Sequence, residues 1–456
     1  MQRLIIEQLL QWKRSHYRKP LIVQGVRQVG KTWVLREFGA RYYRHVAYFN
    51  FEENEDYQQF FTLSKDPHRI LQNLCIASNQ TIDAQNTLII FDEIQDCPAL
   101  ITSLKYFCEN APEYHVVCAG SLLGIALAKP MSFPVGKVNV MNMYPMTFTE
   151  FLLANNQPQL VDYLQQLKDI APLPDAFFRS LHEYLKMYFV TGGMPEPVNR
   201  WVSSGDVHAM NNALEELVKT YEYDFLKHVN PYQYPKISLI WNSLPSQLAR
   251  ENKKFLYKAV KQGARAREYE DALQWLVNAQ LVHKVYRSTA PRMPLCSYDD
   301  AAAFKIYLAD VGVLRCLARL DMQAFTEGNR LFTEFKGAFS ENYVAQALVA
   351  QTHANLHYWS QTNPPYEVDF LFQYKNDLFP VEVKAETNIA SKSIKKFKEL
   401  FPQYAKLRIR FSLNNLSLDG DVLNIPLFMA DFTLHIVECA LHQLKRAQQY
   451  QRQQHG

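Results

Sequence analysis

Residues 25–32 read G-V-R-Q-V-G-K-T: Gly25, four residues, then Gly30, Lys31 and Thr32. No other stretch constrains the fold as tightly, because this pattern works only between a buried strand and the first turn of a helix. Glycines let successive backbone N–H groups turn inward around a phosphate, and the helix N-terminus adds partial positive charge. The flanks agree. Leu21-Ile22-Val23 is a short apolar strand, and Thr32 to Phe38 begins a helix. In this arrangement Gly25 and Gly30 shape the cradle, Lys31 reaches the β- and γ-phosphates, and the Thr32 hydroxyl ligates Mg²⁺. The expected cofactors are ATP and Mg²⁺.

A second motif fits the first. Thr87 to Glu93 reads T-L-I-I-F-D-E, an apolar parallel strand with two carboxylates at its C-terminal end. Ligands of open α/β sheets bind at such ends. Asp92 is placed to hold Mg²⁺ and Glu93 to polarise the attacking water. The alternative is a solvated acidic turn, which a preceding P-loop disfavours. The strand from His115 to Ala119 runs into Gly120 and Ser121. Ser121 is expected to sense the γ-phosphate, to cap a helix from Leu122 onward, or both. With a further strand from His45 to Phe51, residues 1–150 hold at least four parallel strands. Thr147 and Glu150 have capping-box spacing, so a helix starts there.

The length of 456 residues calls for two or three domains. An apolar fraction of 48% supports packed domains over disorder. Lys and Arg number 49 against 45 Asp and Glu. That near balance excludes a dominating nucleic-acid field and leaves room for a local basic patch. The seven cysteines form no C-x-x-C pair and read as reduced thiols. The N-terminus carries charges throughout, unlike a signal peptide, and no run of ~18 uncharged apolar residues appears. A cytoplasmic protein without a membrane span is expected.

Residues 151–232 read as a helical lid or linker, in which Thr191-Gly192-Gly193-Met194-Pro195-Glu196 turns the chain between two helices. Residues 233–325 read as a winged-helix-like module: helical spacing at Ile237, Ile240, Trp241 and Leu244, then a strand from Leu281 to Tyr286 as a wing. Lys253, Lys254, Lys258, Lys261, Arg265 and Arg267 form a basic stripe in it. The stripe is either a contact for DNA phosphates or a solvated helix face. Residues 326–440 form a further α/β unit, and 441–456 a polar tail that frays.

In that α/β unit Asp369 lies on one strand and Glu382 and Lys384 on the next. A spacing of two puts Glu382 and Lys384 on one strand face. With Asp369 across a hairpin and Glu341 from a preceding helix, three carboxylates and a lysine could hold Mg²⁺. This is the layout of PD-(D/E)XK nucleases. The competing reading is a cross-strand ion pair worth at most about 1 kcal/mol.

The whole chain resembles the prokaryotic AAA-like P-loop ATPases fused to a C-terminal domain of unknown function with a PD-(D/E)XK nuclease-like core. The resemblance rests on G-V-R-Q-V-G-K-T, L-I-I-F-D-E, A-G-S at 119–121, Y-P-M-T-F-T-E-F at 144–151, G-G-M-P-E at 192–196, F-K-I-Y-L-A-D-V-G at 304–312, E-N-Y-V-A at 341–345, and the E-V-D-F and V-E-V-K strands. It implies ATP binding and hydrolysis by an α/β protein with a winged helix between its two parts. Relatives carry a Gly-Arg pair where this chain has Gly136-Lys137, and Lys lacks the planar two-pronged donor of Arg. Either hydrolysis is slow, or Arg27, Arg36 or an arginine of a neighbouring subunit acts on the γ-phosphate. The leading expectation is an AAA-type ATPase acting as a switch or motor on DNA or a partner protein. The alternatives are an ATP-regulated Mg²⁺-dependent nuclease and a nucleotide-gated DNA-binding protein without cleavage. The oligomeric state is open.

Overall fold

The computed structural model describes residues 1–121, 124, 133–250, 253–320, 330–352, 356–385 and 392–455. The fold is α/β and divides into two compact units: residues 2–145 with 274–281, and Met1 with 146–273 and 282–456. Among the described residues, no helix is long and apolar enough to cross a membrane.

The first unit is built on five parallel strands: β1 (Leu21–Gln24), β2 (His45–Asn50), β3 (Thr87–Asp92), β4 (His115–Gly120) and β5 (Asn139–Asn142). Their order is β2-β3-β4-β1-β5. All six residues of β3 are buried, as its unbroken apolar run requires when both faces of a parallel sheet are covered. Phe49, Phe51, Phe61 and Phe91 close one face through edge-to-face and tilted contacts, with centroids 5.5–5.9 Å apart. β4 lies between β1 and β3, so the end carrying Ser121 falls between the P-loop and Asp92. The edge strand β5 makes five, where at least four were expected. Its sequence N-V-M-N alternates too little to signal a strand, and Val140 is exposed.

The second unit starts with helices. The capping box forms: Glu150 N donates to Thr147 Oγ1 (3.3 Å), and Thr147 N donates to Glu150 Oε2 (3.0 Å). Helix Asp175–Thr191 ends at Gly192, and Gly193 N donates to the buried Asp310 carboxylate at 2.6 Å, so this glycine pair is a keyed turn. Eight strands follow: β6 (Val282–Ser288), β7 (Asp299–Leu308), β8 (His357–Gln361), β9 (Tyr366–Tyr374), β10 (Asp377–Val383), β11 (Arg408–Ser412), β12 (Ser417–Asp419) and β13 (Val422–Pro426). They make one sheet, ordered β12-β13-β11-β10-β9-β8-β6-β7.

Two elements are placed differently from the sequence-based expectation. The hairpin β6–β7, expected as a free wing of a module ending at 325, is part of the C-terminal sheet, because β6 runs parallel to β8 with Tyr286 opposite His357. Six consecutive buried residues, Ala303 to Leu308, explain why. A wing has one wet face, whereas this run needs cover on both. Asn342 of helix Arg330–Thr352 fixes the strand end, accepting from Leu308 N (2.8 Å) and donating to Leu308 O (3.0 Å). The expected frayed tail is instead the last half of helix Thr433–His455.

Candidate functional site

β1 delivers the chain into the loop at Gly25, and helix Lys31–Tyr42 leaves it. Gly30 has φ +96°, and a Cβ on Gly25 would lie 2.3 Å from Met143 O. One glycine is needed for its backbone angle and the other for close approach. Lys31 is buried, its Nζ donating to Gly25 O (2.8 Å) and Val26 O (3.1 Å). Burial pushes its pKa down to about 8, against the pull of Glu93 and Asp92.

Asp92 ends β3 with its carboxylate fully engaged. Oδ2 accepts from Thr32 Oγ1 (2.7 Å) and Tyr48 OH (2.9 Å), and Oδ1 from Glu93 N (3.0 Å). Burial pushes its pKa up, and the Thr32 and Tyr48 hydrogen bonds oppose that. Glu93 sits at φ +53°, left-handed, which turns its side chain off the strand end. Its Oε2 accepts from Gln95 Nε2 (2.7 Å), Ser121 Oγ (3.2 Å) and Ser121 N (3.4 Å). Lys31, Thr32, Asp92, Glu93 and Ser121 are thus one constellation, linked through direct hydrogen bonds and charge. Thr32 and Asp92 offer adjacent oxygens, a donor set that fits Mg²⁺. The helix expected from Leu122 onward, with Ser121 as its cap, falls on residues outside the described ones.

Two participants escape the motif reading, Tyr48 and Gln95. Tyr48 could have been found: in β2 Ala47 and Phe49 are the core face, so alternation turns Tyr48 to the other. Of the arginine candidates, Arg36 stacks over the Tyr48 ring at 3.8 Å. The charge of Arg27 depresses Lys31 and so lies near it. Lys137, which replaces the expected arginine, pairs with Glu109 at 2.8 Å.

The C-terminal carboxylates require a correction. Among the described residues, no three His, Cys, Asp or Glu side chains stand where they could hold one metal ion. Of the three carboxylates expected to hold Mg²⁺, Glu341 and Glu382 are paired with ammonium groups and Asp369 is bonded to a backbone N–H. Glu341 is paired with Lys253 and accepts from Tyr307 OH at 3.0 Å. Glu382 pairs with Lys384 at 3.0 Å, as strand spacing predicts. The fully buried Lys305 pairs with Glu367. Asp369 accepts from Val383 N at 2.8 Å. Burial and then the charge of Glu341 push Asp369 up, to about 7. Burial also raises Glu341, but Lys253 and Lys305 more than offset it and leave its pKa below the usual range. This set does not fit a divalent metal. The basic stripe shortens for the same reason, since Lys253 is spent on Glu341.

The N-terminal fold and site define an AAA-like P-loop domain. Residues 17–152 match the family model described as an AAA domain. Residues 182–324 and 336–428 match two domains of unknown function, DUF8612 and DUF4143. Among solved structures the chain is similar to a Walker-type ATPase of Pyrococcus abyssi, with 15% identity, 70% of this chain and 95% of that one covered, and a TM-score of 0.43. It is also similar to Cdc6p from Pyrobaculum aerophilum, with 12% identity, coverage of 71% and 94%, and a TM-score of 0.23. No curated protein matches the chain.

Proposed function

We propose that the chain is an ATP-dependent switch that binds ATP with Mg²⁺ and hydrolyses it at the constellation around Lys31. The observation that carries this reading is the 2.7 Å bond between Thr32 Oγ1 and Asp92 Oδ2, which sets two Mg²⁺-seeking oxygens beside the P-loop lysine. The loop N–H groups from Gly25 to Gly30 cradle the phosphates, and Lys31 neutralises the β/γ charge. Thr32 and Asp92 would hold Mg²⁺, which would supply neutralisation of the phosphate charge. Glu93 takes the proton of the attacking water. Ser121 has two bonding choices, the Glu93 carboxylate or the γ-phosphate. Taking the second releases the base, so phosphate binding and base activation are coupled. The neutralised carboxylates of the second unit favour a switch without nuclease turnover.

The test is calorimetry of ATP binding to Lys31→Ala. We expect affinity to fall at least about 10²-fold, as when a charged partner is removed. Wild-type affinity in this variant overturns the assignment.

A further inference from the structure

We propose that the segment from Lys258 to Arg267 docks the phosphate backbone of duplex DNA. This goes beyond the ATP reading and does not depend on it. Residues 253–267 carry six basic residues and no acid, in a chain whose net charge is only +4. Lys253 and Lys254 drop out: the first pairs with Glu341, and Lys254 lies on a bridge to Lys305. Lys258, Lys261, Arg265 and Arg267 are all exposed. Among the described residues none of the four forms an ion pair.

Their spacing within one short segment is what distinguishes them. Other exposed cations, Arg41, Arg200, Lys375, Lys406 and Arg446 among them, hold a carboxylate. Four unneutralised cations in ten residues raise a local positive potential that an isolated solvated lysine does not.

The backbone presents them together. The short helix Tyr257–Val260 carries Lys258, and Lys261 follows it directly. A turn through Gly263, at φ +79° with open space around it, leads to Arg265 and Arg267 at the start of helix Ala266–Asn278. The N-terminal turn of that helix adds partial positive charge beside the arginines. Lys284 of β6 extends the patch, its Nζ 4.2 Å from the centre of the Phe304 ring, which also contacts Tyr257. A helix start flanked by backbone-contacting cations suits the wide major groove of B-form DNA and not the deep, narrow one of duplex RNA. The first acids, Glu268, Glu270 and Asp271, come only after Arg267. They bound the patch in sequence, and Glu270 lies near Tyr257.

The experiment is fluorescence anisotropy of a labelled 24-base-pair DNA duplex with the full chain, across salt concentrations. Four phosphate contacts give a slope of log K against log[salt] of about −3.6, so binding weakens about 10²-fold between 50 and 200 mM salt. The quadruple variant Lys258→Gln, Lys261→Gln, Arg265→Gln, Arg267→Gln should lose about 10²-fold or more at 50 mM salt and flatten the slope. Its thermal midpoint and ATP affinity should stay unchanged, which separates lost docking from lost folding. The control removes four exposed charges elsewhere, Arg200→Gln, Lys375→Gln, Lys406→Gln and Arg446→Gln, with the same change in net charge. It should bind as wild type does. Equal loss in the control, no binding by the wild type at 50 mM salt, duplex RNA bound as tightly as DNA, or binding confined to phosphatidylserine vesicles would each overturn the proposal.

Discussion

Glu93→Gln isolates the base from everything else that Glu93 does. Gln has the same length and keeps an acceptor oxygen for Gln95 and for Ser121, whose donors lie 2.7 and 3.2 Å from Oε2. It pays the same left-handed backbone cost as Glu at φ +53°. Stability should therefore stay within about 0.5 kcal/mol, the range of a substitution that removes no packing or partner. What disappears is the proton acceptor. A positioned general base contributes roughly 10²–10⁴-fold, or about 3–5 kcal/mol of barrier. One side effect sets the assay conditions. The charge of Glu93 helps hold up the pKa of Lys31, which lies at about 8, so its loss lowers that value further. Bound ATP would bring its own negative charge to Lys31 in place of that of Glu93, so ATP affinity should change by no more than about threefold. Single-turnover phosphate release at pH 7, beside calorimetry of ATP binding, reads both quantities. Turnover within about threefold of wild type would refute the role of Glu93. Lost affinity with unchanged single-turnover rate would refute the separation of base from binding.

Three further outcomes follow from the same structure. Tyr48→Phe removes a 2.9 Å hydrogen bond to the buried Asp92 carboxylate while leaving a ring for Arg36, and should cost about 1.5–3 kcal/mol in urea unfolding; no change would mean that Tyr48 does not hold Asp92. His115 has its pKa pushed down to about 4, first by burial and then by Arg18 and Lys13, and its Nδ1 meets Tyr43 OH at 2.6 Å. The unfolded chain then binds the extra proton, so its contribution is intact above about pH 6.5 and is lost as pH falls toward 4, by at most about 3 kcal/mol. His115→Phe should shrink the stability difference between pH 7 and pH 5 measured by urea unfolding. Lys305→Met strips the buried cation from Glu367 and from its neighbours Glu341 and Asp369, and should cost about 3–5 kcal/mol in the same assay.

The constellation around Lys31 could be read from sequence because each of its positions has a local job. Gly25 and Gly30 answer to backbone geometry, Lys31 and Thr32 to the first helical turn, and Asp92 and Glu93 to the end of an apolar strand. Alternation gives the face of Tyr48, but its partner depends on the register that sets Asn50 opposite Asp92, and Gln95 depends on the left-handed turn at Glu93. The first strand of the hairpin β6–β7 is visible in the sequence, but its neighbour β8 is a choice made by burial, since the run from Ala303 to Leu308 has no wet face to offer. The carboxylates show the same limit in terms of charge. Spacing alone pairs Glu382 with Lys384 and puts Glu341 and Asp369 within reach. It does not show that Lys253, 88 residues from Glu341, and Lys305 arrive from other elements. Like charges in a buried cluster must be neutralised by a metal, by protons or by ammonium groups. Which of the three applies depends on the tertiary neighbours, and here the lysines that complete the cluster are the ones that the sequence presents as part of a basic surface stripe and an apolar strand.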